Sequence, residues 1–352
     1  MSLLQFRNSN LKIFMIALFS VIAFTACQET EDISPDTNND FPNLIQALSD
    51  FDGEYEYLED DGNDADARKG PTKYLRKPTF FTLTAALKYT GLFPTVAKNK
   101  LTLFAPDDKA FADMGLNFMN IKELPKDVLT DILLYHAAEG FTFSNKLPAC
   151  SLEMMNGSSI GFNFMDGMVY IKDGTEDPAK VVFTDKRAIN SIFHGIDKVL
   201  LPPDMNIAEI ASGNDDFETL VFLLIETDLV GVFADETTNN TVFAPTDMAF
   251  ENLEADNPGI TAYLLDNPNE LTKVLLHHVS PGSTFSFCLS DGMMIPTLNK
   301  DYLTFKAGGL ILQSSSGNEV GLIGDLLDIH AKNGVIHAID YILVPENLEL
   351  PG

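Results

Sequence analysis

Tryptophan is absent from this sequence, cysteine occurs three times in 352 residues, and 23 basic residues face 51 acidic ones. Each shortage excludes something. Three cysteines are too few for a disulfide-framed mini-scaffold, and no CxxC pair offers a redox or zinc-ribbon site. Neither HExxH nor a compact His/Cys cluster is present, so no metal or other cofactor is expected. GSSIG and GNEVG are not nucleophile-elbow motifs, so no serine completes a hydrolase signature. A formal net charge of -28 repels nucleic acid and anionic membrane surfaces and leaves cations, basic proteins and neutral glycans as partners. The lack of tryptophan counts against sugar stacking. No apolar run reaches the roughly 20 residues that cross a bilayer as a helix.

The most apolar stretch is IFMIALFSVIAFTA, residues 13–26, preceded by Arg7 and Lys12 and followed by Cys27. A basic start, a short apolar core and small residues at its end describe a secretion signal. With the cysteine directly after Ala26, it resembles a bacterial lipoprotein signal, although Phe24 stands where such signals more often carry Leu. That resemblance implies acylation of Cys27, of the palmitate type, and an outer-membrane lipoprotein. One acyl chain binds a membrane only marginally, so a stable anchor requires more than one. QETEDISPD, which follows, is similar to surface-export signals of some bacterial lipoproteins. The expected location is therefore the cell surface, with a periplasm-facing body as the alternative.

From Gln28 to Gly70 the chain holds fourteen Asp or Glu against Arg68 and Lys69, with Pro35 and Pro42 among them. Such composition predicts a solvated flexible tether over 28–74. Within it, FPNLIQALSDF (41–51) is apolar enough for a short docking helix.

The remainder repeats. LTLFAPDDKAF (101–111) is echoed by NTVFAPTDMAF (240–250), LLYHAAEGFTFS (133–144) by LLHHVSPGSTFS (275–286), and IFHGIDKVLLP (192–202) by VIHAIDYILVP (335–345). Three matches in one order at a nearly constant offset indicate duplication, and so long a period means two complete domains rather than a solenoid. The boundaries fall at 75–204 and 208–346. Each copy opens on an apolar helical segment, then a β-prone strand entering a Pro-containing turn, where Asp108 or Asp247 sits beside a helix start and can accept an exposed N–H. YLTFKAGGLILQSS (302–315) reads as a hairpin or two adjoining strands, broken at Gly308–Gly309, and VIHAIDYILV as a long apolar strand at an edge or sandwich position. Helices and strands without regular βαβ alternation give an α+β class.

Phe243-Ala244-Pro245-Thr246-Asp247 with Ala249-Phe250 resembles the first signature of fasciclin-type domains. Leu276-His277-His278-Val279 matches the middle Tyr-His region, and Asn333 to Asp340 followed by Leu343-Val344-Pro345 matches the closing signature. The first copy keeps Phe104-Ala105-Pro106-Asp107-Asp108, Tyr135-His136 and His194-Gly195-Ile196-Asp197, but has Ser191-Ile192-Phe193 where the second has Gly334-Val335-Ile336. The resemblance implies tandem compact β-sandwiches with packed helices, adhesion or extracellular-matrix contacts, and no shared catalytic constellation.

Four of the six histidines pair by repeat position, His136 with His278 and His194 with His337. A histidine on an apolar segment can lock a neighbouring loop or carboxylate, which is the structural role expected for these four. Asp197 and Asp340, three residues beyond His194 and His337, could partner them or cap local turns; structural support is preferred over a catalytic dyad. With Cys27 assigned to lipid, Cys150 and Cys288 read as two buried or half-buried thiols, with an interdomain disulfide and intermolecular pairing as alternatives. GNDD (213–216) and DGNDAD (61–66) lack the ordered calcium-loop pattern and read as solvated loops. MMNG (154–157) and GMM (292–294) read as core methionines near turns.

The combined expectation is a non-enzymatic, lipid-anchored surface or envelope protein contacting protein or polysaccharide through two modules. Avidity would follow only if both modules engage together. The alternatives are an accessory glycan-capture lipoprotein of an outer-membrane uptake system and an envelope scaffold.

Overall fold

The computed structural model describes residues 42–53, 55–59, 72–346 and 348, all within one compact unit, Asp40–Gly352. Cys27, its leader and DGNDAD lie outside the described residues. Helix α1 (Leu44–Ser49) begins where the Asn43 side chain accepts the Gln46 N–H, and it buries Leu44, Ala47 and Leu48, an i, i+3, i+4 stripe. Beyond it Phe51 stacks on Phe183 at 4.4 Å and meets Phe80 and Phe193 edge-on. Residues 42–53 therefore belong to the folded body of the first copy, where composition predicts tether throughout 28–74. Strands β1 (Tyr55–Glu59) and β2 (Thr72–Arg76) pair antiparallel.

The first copy continues through α2 (Phe81–Thr90), α3 (Phe93–Lys98), β3 (Leu101–Pro106), α4 (Asp108–Asp113), α5 (Lys126–Leu134), β4 (Ala137–Glu139), β5 (Ser151–Glu153), β6 (Ser159–Met165), β7 (Met168–Lys172), β8 (Ala179–Ala188) and β9 (Ser191–Ile196). Its seven strands are ordered β4-β3-β9-β8-β7-β6-β5, with only β3 and β9 parallel. Two register shifts in β8, between Val181 and Phe183 and between Phe183 and Lys186, interrupt the ladder. Such bulges bend a strand. The sheet curls accordingly: Phe104 on β3 lies 5.7 Å from Phe162 on β6, four places away in the strand order.

The second copy comprises α6 (Ile207–Ser212), α7 (Glu218–Glu226), α8 (Val230–Ala234), β10 (Asn240–Pro245), α9 (Asp247–Asp256), α10 (Ile260–Asp266), α11 (Pro268–His277), β11 (Val279–Pro281), β12 (Met294–Pro296), β13 (Tyr302–Lys306), β14 (Ile311–Ser314), β15 (Glu319–Gly321), β16 (Ile329–Ala331) and β17 (Gly334–Ile339). Here the same plan gives two four-stranded sheets, β11-β10-β17-β16 and β12-β13-β14-β15. The 302–315 stretch is indeed a hairpin, β13 and β14 turning at Ala307–Gly309. The closing segment differs from expectation. Its strand spans Gly334–Ile339 and runs centrally between β10 and β16, and residues 341–344 are not strand.

The central strands β3, β9, β10 and β17 are buried at every position. Alternation explains how both faces are used. Val242 and Ala244 enter a core with the helices, while Phe243 between them enters the core against β13 and β14. Leu103 and Ala105 against Phe104 repeat this in the first copy. Gly334 has φ +147°, and a Cβ there would lie 1.7 Å from the Asn240 carbonyl oxygen, so no side chain fits. The first copy has Ser191 at this point, yet β9 keeps the same six-residue parallel register with β3.

Candidate functional site

Asp107 caps its own helix by accepting the Ala110 N–H at 2.9 Å, which frees Asp108 to serve another element. The Asp108 carboxylate accepts the Thr82 and Phe81 N–H groups at 2.7 and 3.2 Å and the Thr79 hydroxyl, so it caps α2. Asp247 accepts the Thr219 N–H at 2.7 Å and does the same for α7. Burial would raise the Asp108 carboxyl, but these donors outweigh it and hold it below the ordinary value.

The paired histidines repeat contact for contact. His136 donates Nδ1–H to the Ile132 carbonyl at 2.7 Å and accepts the Leu200 N–H on Nε2 at 2.9 Å. His278 does so with Val274 and Leu343 at 2.7 and 2.9 Å. Each ring ties the last turn of a helix to the chain beyond the closing strand. Burial pushes His136 down to about 4 and His278 to about 3, so both rings are neutral at neutral pH.

His194 and His337 are not partnered by Asp197 and Asp340. The Nε2–H of His194 donates to the Thr142 carbonyl at 2.9 Å, and its Nδ1 accepts the Asp185 N–H at 3.3 Å. His337 uses Thr284 at 2.8 Å and Asp328 at 3.2 Å. Asp185 and Asp328 hold left-handed backbone, φ +62° and +54°, and their carboxylates accept the N–H and hydroxyl of Ser144 and Ser286. Asp197 and Asp340 instead accept the N–H groups of Lys180 and Gly321, both at 2.7 Å. Burial lowers His194 and His337 and raises Asp197. Asp185 and Asp328 were findable: they stand 143 residues apart, the same offset as His194 and His337. They stand seven residues ahead of IFHGIDKVLLP and VIHAIDYILVP.

One cluster has the outline of a hydrolytic triad. His277 Nε2 lies 2.8 Å from Ser314 Oγ and its Nδ1 3.9 Å from Asp301. The serine hydroxyl, however, donates to the Val344 carbonyl, so its oxygen receives the imidazole N–H and is not activated by the ring. Ser314 is 3% exposed and His277 fully buried, which closes the cluster to a substrate. Burial also lowers His277.

The cysteines correct the sequence reading. Cys150 and Cys288 form a disulfide, Cα atoms 5.3 Å apart, joining the first copy to the second. Around it Ser151 donates to the Ser283 carbonyl at 2.6 Å and Asn239 to the Gly157 carbonyl at 3.0 Å. Phe285 and Phe287 stack at 5.3 Å over Gly161 of β6, where a Cβ would come within 2.7 Å of Phe285 and 2.9 Å of Phe287. His330 meets Phe285 edge-on at 5.2 Å, and burial lowers its pKa. GNDD forms the start of a 3-10 turn, with Asn214 accepting the Asp216 N–H. Met154 is buried as expected, but Met294 is 61% exposed and not core. Among the described residues no cluster of three or more His, Cys, Asp or Glu could hold a metal, and no helix is long and apolar enough to cross a membrane.

Comparison with known proteins places the duplicated plan. The Fasciclin domain pattern matches residues 78–202 and 215–345. Transforming growth factor-beta-induced protein ig-h3 of Sus scrofa is 26% identical over 261 residues, covering 70% of this chain and 35% of that protein. Human periostin is 23% identical over 267 residues, 72% of this chain and 30% of its own length. This chain thus spans about a third of those relatives. Protein sll1483 of Synechocystis is 35% identical over 142 residues, 40% of this chain and 74% of that one. A solved FAS1 domain pair from the insect cell adhesion molecule Fasciclin I is 18% identical, with TM-score 0.38, over 76% of this chain and 99% of that chain. With both copies matched, this chain belongs to the fasciclin domain family.

Proposed function

We propose that this chain is a non-enzymatic binding protein of the cell envelope, held at the outer membrane by lipid on Cys27 and presenting its fasciclin pair to an extracellular protein or polysaccharide. The observation that carries this reading is the joint. A disulfide, two side-chain hydrogen bonds to main-chain carbonyls and an aromatic pair seated on a glycine hold the copies together. A bridge between two copies suits an oxidising, extracytoplasmic compartment. It also suits a receptor whose two modules present fixed surfaces to one partner, because ordering on binding is reduced when the geometry is preset. The polar clusters support the same reading, since every paired histidine is engaged with main chain.

The test is protease digestion of the body on intact cells, with a periplasmic protein as leakage control. Digestion from outside is expected. Protection until the outer membrane is opened would overturn surface binding and move the search for partners to the periplasm.

A further inference from the structure

The first copy carries a cavity of about 780 Å³ between α1 and α2, within the range of small-molecule sites, ~300–1,000 Å³. Its walls are aromatic: Phe51, Phe80, Phe81, Tyr89 and Phe118. Phe51 and Phe80 are fixed by their mutual edge contact and by the stack on Phe183, so the inner wall is formed in advance. Phe81 and Phe118 are 64% and 54% exposed, and such large rings left open at a rim need an occupant more than isolated surface apolars do.

The rim has the opposite sign to the protein. Lys77, Lys88 and Lys122 border the cavity, with Asp50 as the single carboxylate among the described residues, and Asp50 already accepts the Gln46 amide at 2.6 Å. Among the described residues none of the three lysines is ion-paired. In a chain of net charge -28 this is a local reversal that draws an anion to an apolar opening.

The arrangement belongs to the first copy alone. Thr82 and Thr219 are equivalent, because each N–H is capped by the aspartate of its own copy. On that register Phe81, Lys88 and Tyr89 of α2 correspond to Glu218, Ile225 and Glu226 of α7. Helix α1 supplies the remaining wall through Leu48 and Ser49.

We propose that this cavity binds a single-chain amphipathic anion, a free long-chain carboxylate, with the hydrocarbon among the rings and the carboxylate at the lysine rim. The cavity walls can satisfy an alkyl chain but few polar groups, and the ammonium groups meet the head at the mouth. Calorimetry on the full chain with dodecanoate below its micellar concentration is expected to give one site. Dodecyltrimethylammonium, with the same tail and the opposite head, is expected to bind at least tenfold more weakly. The Lys88→Glu/Lys122→Glu variant changes two exposed side chains, and should lose at least tenfold for dodecanoate with an unchanged circular dichroism spectrum. Equal affinity for the two head groups, no effect of the charge reversal, or binding to anionic phospholipid vesicles without binding of free dodecanoate would overturn the proposal. The last would make the patch a membrane-docking face.

Discussion

At the scale of single residues, the histidines make this protein sensitive to acid in a direction that follows from their burial. His136 and His278 are neutral when folded, at about 4 and about 3, against 6.5 for a free side chain. Unfolding lets them take up protons below pH 6.5, so their stabilisation is complete above that value and is lost as pH falls toward the folded values. Each should cost about 2 kcal/mol between pH 6.5 and 5.0. The urea midpoint should therefore drop between pH 7.5 and 5.0. His278→Gln should be less stable at pH 7.5 by about 3 kcal/mol, because it disturbs a buried pair of hydrogen bonds. It should also show a shallower pH dependence. An unaltered slope in the variant would mean that His278 does not carry this effect.

The repeats made these residues legible, but not all of their partners. Pairing by position identified His136 with His278 and His194 with His337, and the structure gives the members of each pair the same contacts. Of the two roles open to Asp197 and Asp340, the structure gives main-chain support and not the rings, since nearness in sequence does not bring a strand-end carboxylate to a ring pointing into the sandwich. Asp185 and Asp328 reach those rings through backbone N–H groups in left-handed turns, and a main-chain donor leaves no residue-type signal. Cys150 and Cys288 were harder still. Each sits in its own copy, and the packing of Phe285 and Phe287 on Gly161 with the Ser151 and Asn239 hydrogen bonds brings the two segments together. Nothing in either repeat encodes the angle between them.

At the scale of elements, α1 is only weakly legible in the sequence, because an apolar stripe of three residues in an acidic stretch can equally stay in solvent. Its docking depends on Leu48 and Phe51 finding the rings of the first copy. Leu48 is 2% exposed, and Leu48→Ala should weaken that docking by about 2–5 kcal/mol. Hydrogen exchange should then rise over residues 44–51 while the second copy remains protected. Loss of protection throughout both copies would instead make α1 part of a single cooperative core. The same variant should weaken dodecanoate, since α1 is a wall of the cavity.

At the scale of the whole molecule, the joint alters how the chain carries load. Tension applied between the two ends of the chain enters the bridge at Cys150 and leaves it at Cys288. The bridge between Cys150 and Cys288 shunts that tension across 138 residues of sequence, so the strands from β5 to β9 and the elements from α6 to β11 lie off the line of force. Fully extended, the shunted loop would contribute roughly 450–500 Å of length. Single-molecule stretching should show the oxidised chain lengthening by that much less than the reduced one. Equal lengths in the two states would mean that the bond does not carry the tension. An intact bridge makes the tandem pair a short tether under load, and reduction makes it a long one.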